Sequence, residues 1–171
     1  MKKNIFLTGT PGSGKTTIIR RVLARLSRPA GGFYTREIRE GGARKGFEII
    51  TLDGKRGILA HVEIRSQKRV SKYGVDTAAL DRLAIPAIQN AVLQKKVVVI
   101  DEIGPMEVLS AQFRQSALEA LQSDASVFGT IVQRSTPFTD QIKSQSDVNL
   151  IEVTPENREE LPEIILRLLE G

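Results

Sequence analysis

Thirteen residues near the start of the chain, "IFLTGTPGSGKTT" from Ile5 to Thr17, constrain the fold more than any other stretch. A short apolar run, Ile5 to Leu7, leads into three glycines and a proline, and a helical pattern begins at Lys15. Residues 9–16 match G-x-x-x-x-G-K-[ST] at every fixed position. A loop that wraps a phosphate chain must turn many N–H groups inward, using backbone angles closed to residues that carry a Cβ. Gly12 and Gly14 supply those angles, and Gly9 lets the strand turn. The helix that follows aims its unpaired N–H groups and positive dipole end at the same point. Lys15 is placed to bridge outer phosphates as a point charge, and the Thr16 hydroxyl to ligate magnesium.

The apolar pattern after the loop is helical: Ile18, Ile19, Val22, Leu23 and Leu26 share one face, and Pro29 with the following glycines ends it. From Gly32 the period changes. "GFYTREI", "GFEIITL" and "ILAHVEI" read as strands joined by "REGGARK" and "DGKRG", so residues 31–64 predict an antiparallel hairpin insertion. "DTAALDRLAIPAIQNAVLQ" predicts a helix capped by Asp76 or Thr77 and kinked at Pro86. "KKVVVIDEIG" is a continuous apolar strand of the kind buried in a parallel sheet. "SAQFRQSALEALQ" predicts a single-face helix, and "SVFGTIV" and "NLIEV" two further strands. Thr154-Pro155 predicts the cap of a C-terminal helical segment, with Pro162 splitting or restarting it. Outside the hairpin block strands and helices alternate, which predicts an α/β domain spanning residues 1–171. Its mainly parallel sheet carries helices on both faces, with the site at the carboxyl ends of the strands.

Asp101 falls at the exit of the buried "VVVID" strand, where a carboxylate holds magnesium directly or through water, opposite Thr16. Glu102 follows. A glutamate there polarises a water for in-line attack on a γ-phosphate, and the competing reading is a surface or ion-paired side chain. "DEIG" also fits Asp-x-x-Gly, but the chain contains no Asn-Lys-x-Asp string to read guanine. The catalytic-glutamate class is therefore favoured, with low base selectivity. Positive charge for the transition state is sought in "GTIVQRSTPF": Thr130 or Gln133 as sensor of the γ-phosphate and Arg134 as a finger in cis, the competing reading of Arg134 being an ordinary solvent-facing arginine. "SKYGVD" either packs the hairpins, the preferred reading, or lies over the nucleotide.

A catalytic glutamate in this position goes with an extra strand between the loop strand and the Asp101 strand, which leaves room for water. "SVFGTIV" is the buried-type strand left to fill that slot. The expected order is "NLIEV", the loop strand, "SVFGTIV", "VVVID", then the hairpin block at the edge.

The loop, "VIDEIG", the hairpin strands, "YGVD…LAIPAI" and "LIEVTPENRE" together resemble the THEP-type nucleoside-triphosphatase family over essentially the whole chain. The resemblance implies a RecA-like P-loop core and Mg2+-dependent hydrolysis of ATP, GTP, CTP and UTP to the diphosphate and phosphate. It implies nucleotide contacts from Gly9, Thr10, Pro11, Gly12, Ser13, Gly14, Lys15 and Thr16, with Thr17 adjoining. A second contacting segment comprises Val98, Val99, Ile100, Asp101, Glu102, Ile103, Gly104 and Pro105. Apart from the resemblance, the residues themselves assign catalysis to Glu102, Lys15 and Arg134, and the metal to Thr16 and Asp101. Pro105 stands where relatives are expected to carry a lysine, so a phosphate contact from that side chain is lost.

Two rivals share the core. A nucleotide or nucleoside kinase would need an acceptor pocket and an arginine-rich lid, and Arg36, Arg39, Arg44 and Arg56 keep that idea open. A nucleic-acid-stimulated ATPase suits a net charge of +5, but two tyrosines and no tryptophan offer few stacking surfaces. No cysteine and one histidine exclude disulfides, thiolate metal sites and histidine clusters. No apolar run reaches the roughly 20 residues of a membrane span, and the chain is expected to act as a cytoplasmic monomer.

Overall fold

The computed structural model describes residues 3–171. Five strands form a parallel core: β1 (Asn4–Thr8), β2 (Ala30–Glu40), β7 (Val97–Ile103), β8 (Val127–Ile131) and β9 (Val148–Glu152). Four more extend it on one side: β3 (Ala43–Thr51), β4 (Arg56–His61), β5 (Arg69–Val70) and β6 (Tyr73–Val75). The nine make one continuous sheet in the order β5-β6-β4-β3-β2-β7-β8-β1-β9. The slot between the loop strand and the Asp101 strand is filled by β8, which pairs parallel with both β1 and β7.

Helices cover both faces. α1 (Lys15–Arg25) and α5 (Leu161–Glu170) pack on one, α2 (Thr77–Leu93) and α3 (Ala111–Gln122) on the other, and a short α4 (Pro137–Lys143) follows β8. Because strand side chains alternate, the central strands feed two cores. Ile5, Leu7, Val97 and Val99 meet Ile18, Ile19, Val22 and Ile165 on the first face. Phe6, Val98 and Ile100 meet Leu80, Ile88, Phe113 and Ala117 on the second. A strand buried on both faces needs apolar side chains at every position, hence the unbroken "VVVI".

The hairpin block differs from its expected form in two ways. It is not an attachment to a finished edge, because its first strand starts at Ala30 and runs parallel to β7 as far as Phe33. The same strand then continues as the antiparallel partner of β3, out to Glu40. Gly32 permits the switch: its φ is +113°, and a Cβ there would lie 2.1 Å from the Val99 carbonyl oxygen. The block also runs past Ile64, since β6 pairs with β4 and β5 with β6. We refer to the outer part of β2 together with β3–β6 as the arm. "SKYGVD" is a part of it.

One helix boundary moves and one helix is added. Pro155 opens no helix. Residues 155–160 form turns, tied by the Asn157 side chain, which accepts from Thr154 N (2.9 Å) and donates to the Glu152 carbonyl (2.8 Å). Helix α5 starts at Leu161 with Pro162 in its first turn, where a missing N–H costs no hydrogen bond. The unforeseen helix α4 begins with the cap that Thr154-Pro155 only imitates: Thr136 accepts from Thr139 N, and Pro137 opens the first turn. Pro86 lies inside α2 without dividing it, and Asp76 caps that helix by accepting from Ala79 N.

Candidate active site at the carboxyl ends of the core strands

β1 ends at Thr8, and the loop from Gly9 to Gly14 carries the chain to α1. Gly9, Gly12 and Gly14 all have positive φ, at +144°, +77° and +104°. A Cβ on Gly9 would come within 3.0 Å of the Val153 carbonyl oxygen. α1 has no side-chain cap at Gly14, so its first N–H groups stay available to an anion. Lys15 Nζ folds over the loop and donates to the carbonyls of Gly9 (2.9 Å) and Thr10 (3.0 Å). Burial pushes its pKa down, while Glu102 and then Asp101 pull it up.

Asp101 is 2% exposed, yet both of its oxygens are occupied. Oδ2 accepts from the Thr16 hydroxyl at 3.0 Å and Oδ1 from the Thr130 hydroxyl at 2.6 Å. Burial raises its pKa, against the Thr130 and Thr16 hydrogen bonds and the charge on Lys15. Between the Ile100–Gly129 and Ile103–Ile131 pairs β7 has two residues, Asp101 and Glu102, where β8 has one, Thr130. This bulge interrupts the strand's alternation, and Asp101 and Glu102 line the same cavity. The peptide between them is cis. Burial raises the Glu102 pKa, Asp101 adds to the rise, and Lys15 opposes it.

A cavity of about 620 Å³ lies over these groups. Gly9, Pro11, Gly12, Lys15 and Thr16 form its loop end, and Asp101, Glu102 and Pro105 its base. Val132, Gln133 and Arg134, from the exit of β8, line it as well. Thr10, Ser13 and Gly14 of the loop and Thr17 of α1 lie outside the cavity wall. Tyr73 both packs the arm, at 4% exposure, and lines the cavity.

Five predicted contact residues lie away from the cavity wall. Val98, Val99, Ile100 and Ile103 are fully buried in the two cores, and Gly104 is buried behind the bulge; none of the five lines the cavity. Within "VVVIDEIGP" the surface available to a ligand is that of Asp101, Glu102 and Pro105. Thr130 is likewise unable to sense a phosphate, because it is completely buried and its hydroxyl is spent on Asp101. Gln133 and Arg134 remain exposed at the cavity.

Glu107 was not foreseen as a site residue. It sits in a 3-10 turn, Glu107–Leu109, 3% exposed, and lines the cavity beside Met106. Burial raises its pKa well above the usual range, and the charge on Glu102 raises it further. A lone glutamate between Met106 and Val108 gives the sequence no periodic signal that it is buried.

The pairing of a hydroxyl with a carboxylate at Thr16 and Asp101 offers hard oxygen donors, which suit magnesium. Among the described residues no group of three or more metal-ligating side chains occurs. Magnesium takes one or two protein oxygens and completes its shell with water and substrate phosphate. Among the described residues no helix is long and apolar enough to cross a membrane.

A family model described as NTPase matches residues 4–166. The nucleoside-triphosphatase THEP1 of Thermotoga sp. (strain RQ2) is 45% identical over 165 residues, covering 96% of this chain and 94% of the relative. The crystal structure of THEP1 from Aquifex aeolicus superposes with a TM-score of 0.90 at 39% identity, covering 98% of this chain and 99% of that one. The solution structure of a human cancer-related nucleoside triphosphatase gives 0.84 at 37% identity, covering 98% and 97%.

Proposed function

The chain belongs to the THEP1-type nucleoside-triphosphatase family, a hydrolase family with a P-loop α/β fold, and from that premise we propose a magnesium-dependent mechanism with little discrimination among ATP, GTP, CTP and UTP. One observation carries it: β8 separates β7 from β1, so Glu102 stands one strand away from the loop, with open cavity between.

The loop amides and the start of α1 bind the phosphate chain, and Lys15 leaves the Gly9 and Thr10 carbonyls to meet the outer phosphates. Thr16 and Asp101 would hold the metal, which supplies Lewis-acid polarisation of the phosphoryl oxygens. Thr130 keeps Asp101 turned toward Thr16. Ionised Glu102 accepts a proton from the attacking water and holds that water in line. Arg134 stabilises charge developing on the transferred phosphoryl group.

Base selectivity is low because of where the nucleoside leaves. Glu102 marks the outer-phosphate end, so the nucleoside departs past Gly14 and Thr17. Thr17 is exposed, and a Cβ on Gly14 would lie 3.9 Å from Cδ of the exposed Arg158. A guanidinium in solvent offers any base a similar surface. The test is phosphate release from each of the four triphosphates, with magnesium and then with EDTA. Similar turnover on all four, abolished by EDTA, is expected; activity on one base alone, or activity that survives EDTA, contradicts the reading.

A further inference from the structure

The cavity is larger than an outer phosphate and one water require. At about 620 Å³ it is on the order of twenty times the share of one liquid water. Its loop end touches Gly9, Gly12 and Lys15 but neither Gly14 nor Thr17, and it runs the other way, into the arm. There the wall is Arg36, Arg44, Phe47, Val70 and Tyr73.

We propose that the arm end is a second binding site, for a nucleoside monophosphate held at the same time as the triphosphate. The proposal rests on the triphosphate reading above, which sends the substrate's own nucleoside out past Gly14 and Thr17. The arm end therefore lies beyond the outer phosphate, on the far side of Glu102, and is open to an occupant of its own.

The wall chemistry selects a planar group joined to an anion. The Phe47 and Tyr73 rings meet edge to face, with centroids 5.4 Å apart at 73°. The Arg44 guanidinium lies over both, 5.3 Å from the Phe47 centroid and 5.8 Å from that of Tyr73. A planar cation stacked on aromatic rings is also a surface on which a nucleobase stacks. Arg44 donates from Nε to Tyr73 Oη (3.0 Å) and from Nη1 to Glu37 (3.2 Å). Its Nη2 has no partner among the described residues. Arg36 donates from Nε and Nη2 to Glu48, which leaves its Nη1 without one. A guanidinium carries five N–H donors in a planar fork, so both arginines retain donors for a phosphate while tied to a carboxylate. Glu37, held by Arg39 and Arg44, gives the same wall a carboxylate for an amino-bearing base.

The experiment is calorimetric titration in two stages. A non-hydrolysable triphosphate analogue with magnesium is titrated first, and AMP, GMP, CMP and UMP are then titrated into the saturated protein. Binding of at least one monophosphate with the analogue in place is expected. Arg36→Ala and Phe47→Ala should each weaken it by about tenfold or more, the loss of one charge-assisted hydrogen bond or one stacking surface. Both variants should keep ordinary triphosphate hydrolysis when no monophosphate is present, which also reports that they fold. The proposal is overturned if no monophosphate binds, if the analogue displaces the monophosphate, or if neither variant weakens binding. Failure of the analogue itself to bind appears in the first stage and overturns the triphosphate reading, and this proposal with it.

Discussion

Thr130→Val tests how Asp101 is held. The substitution keeps the branched shape and removes the hydroxyl that donates to Asp101 Oδ1 at 2.6 Å, in a place where Thr130 is 0% and Asp101 2% exposed. A hydrogen bond to a charged group contributes about 1.5–3 kcal/mol, and here no water can replace it. For 171 residues the entropy of unfolding is about 0.36 kcal/mol per kelvin, so the expected loss is about 4–8 °C in Tm. The sign of its pH dependence follows from Asp101. Burial already raises that pKa, and Thr130 is the first of the groups that lower it, so removing the hydroxyl raises it further. A folded-state pKa above the unfolded one means stability is fully present at low pH and falls as pH rises through the folded value. The variant's deficit should be largest at pH 8 and shrink toward acid. Thermal melts of both proteins without nucleotide, at pH 8 and pH 5, measure it. The magnesium needed for half-maximal hydrolysis should rise as well, because Thr16 alone still restrains the carboxylate. A shift below about 1 °C at pH 8, with the same magnesium requirement, would refute this account of Asp101.

Three further outcomes follow from the same geometry. Lys15→Ala should lower hydrolysis by orders of magnitude and leave the melt nearly unchanged, since the ammonium is bonded only to the Gly9 and Thr10 carbonyls; near-normal turnover would sink the phosphate role of the loop. Glu107→Gln should gain stability over the parent as pH rises from the ordinary glutamate value, because the parent must ionise a carboxyl whose pKa burial has raised; melts showing a constant or shrinking gain would show that burial is not what the carboxyl feels. Gly129→Ala should cost roughly 1–3 kcal/mol by overpacking, since its Cβ would fall 2.1 Å from the Ile100 carbonyl oxygen and 3.2 Å from the Phe6 ring; chemical denaturation with an unchanged midpoint would contradict the close β7–β8 approach.

The sheet order was legible because two facts met. Glu102 after Asp101 calls for a strand between β7 and β1, and "SVFGTIV" was the buried strand without a place. Local pattern could not show that the hairpin block begins inside the parallel core. Gly31 and Gly32 look like turn punctuation, but both lie in β2, where a Cβ would meet Ala91 at 2.9 Å or Val99 at 2.1 Å. Close approach to a partner distant in sequence leaves no local mark. Helix α4 escaped notice for a different reason: seven residues with only Thr139 and Ile142 buried make no apolar stripe. Its Thr-Pro opening recurs at Thr154, where the Asn157 side chain holds the following turn instead. In "VVVIDEIGP" the buried strand and the two carboxylates at its exit, Asp101 and Glu102, were readable from one line of sequence. Which of its residues reach solvent was not, since that depends on the bulge and on helices packed from both faces.

Turnover and binding measured side by side for Glu102→Gln test the central claim most directly. The side chain keeps its size and loses the charge that accepts a proton. Magnesium and triphosphate should bind as in the parent, while single-turnover hydrolysis falls by roughly 10²–10⁴, the usual contribution of a general base. Unchanged turnover, or a loss of binding that accounts for the loss of rate, would contradict it.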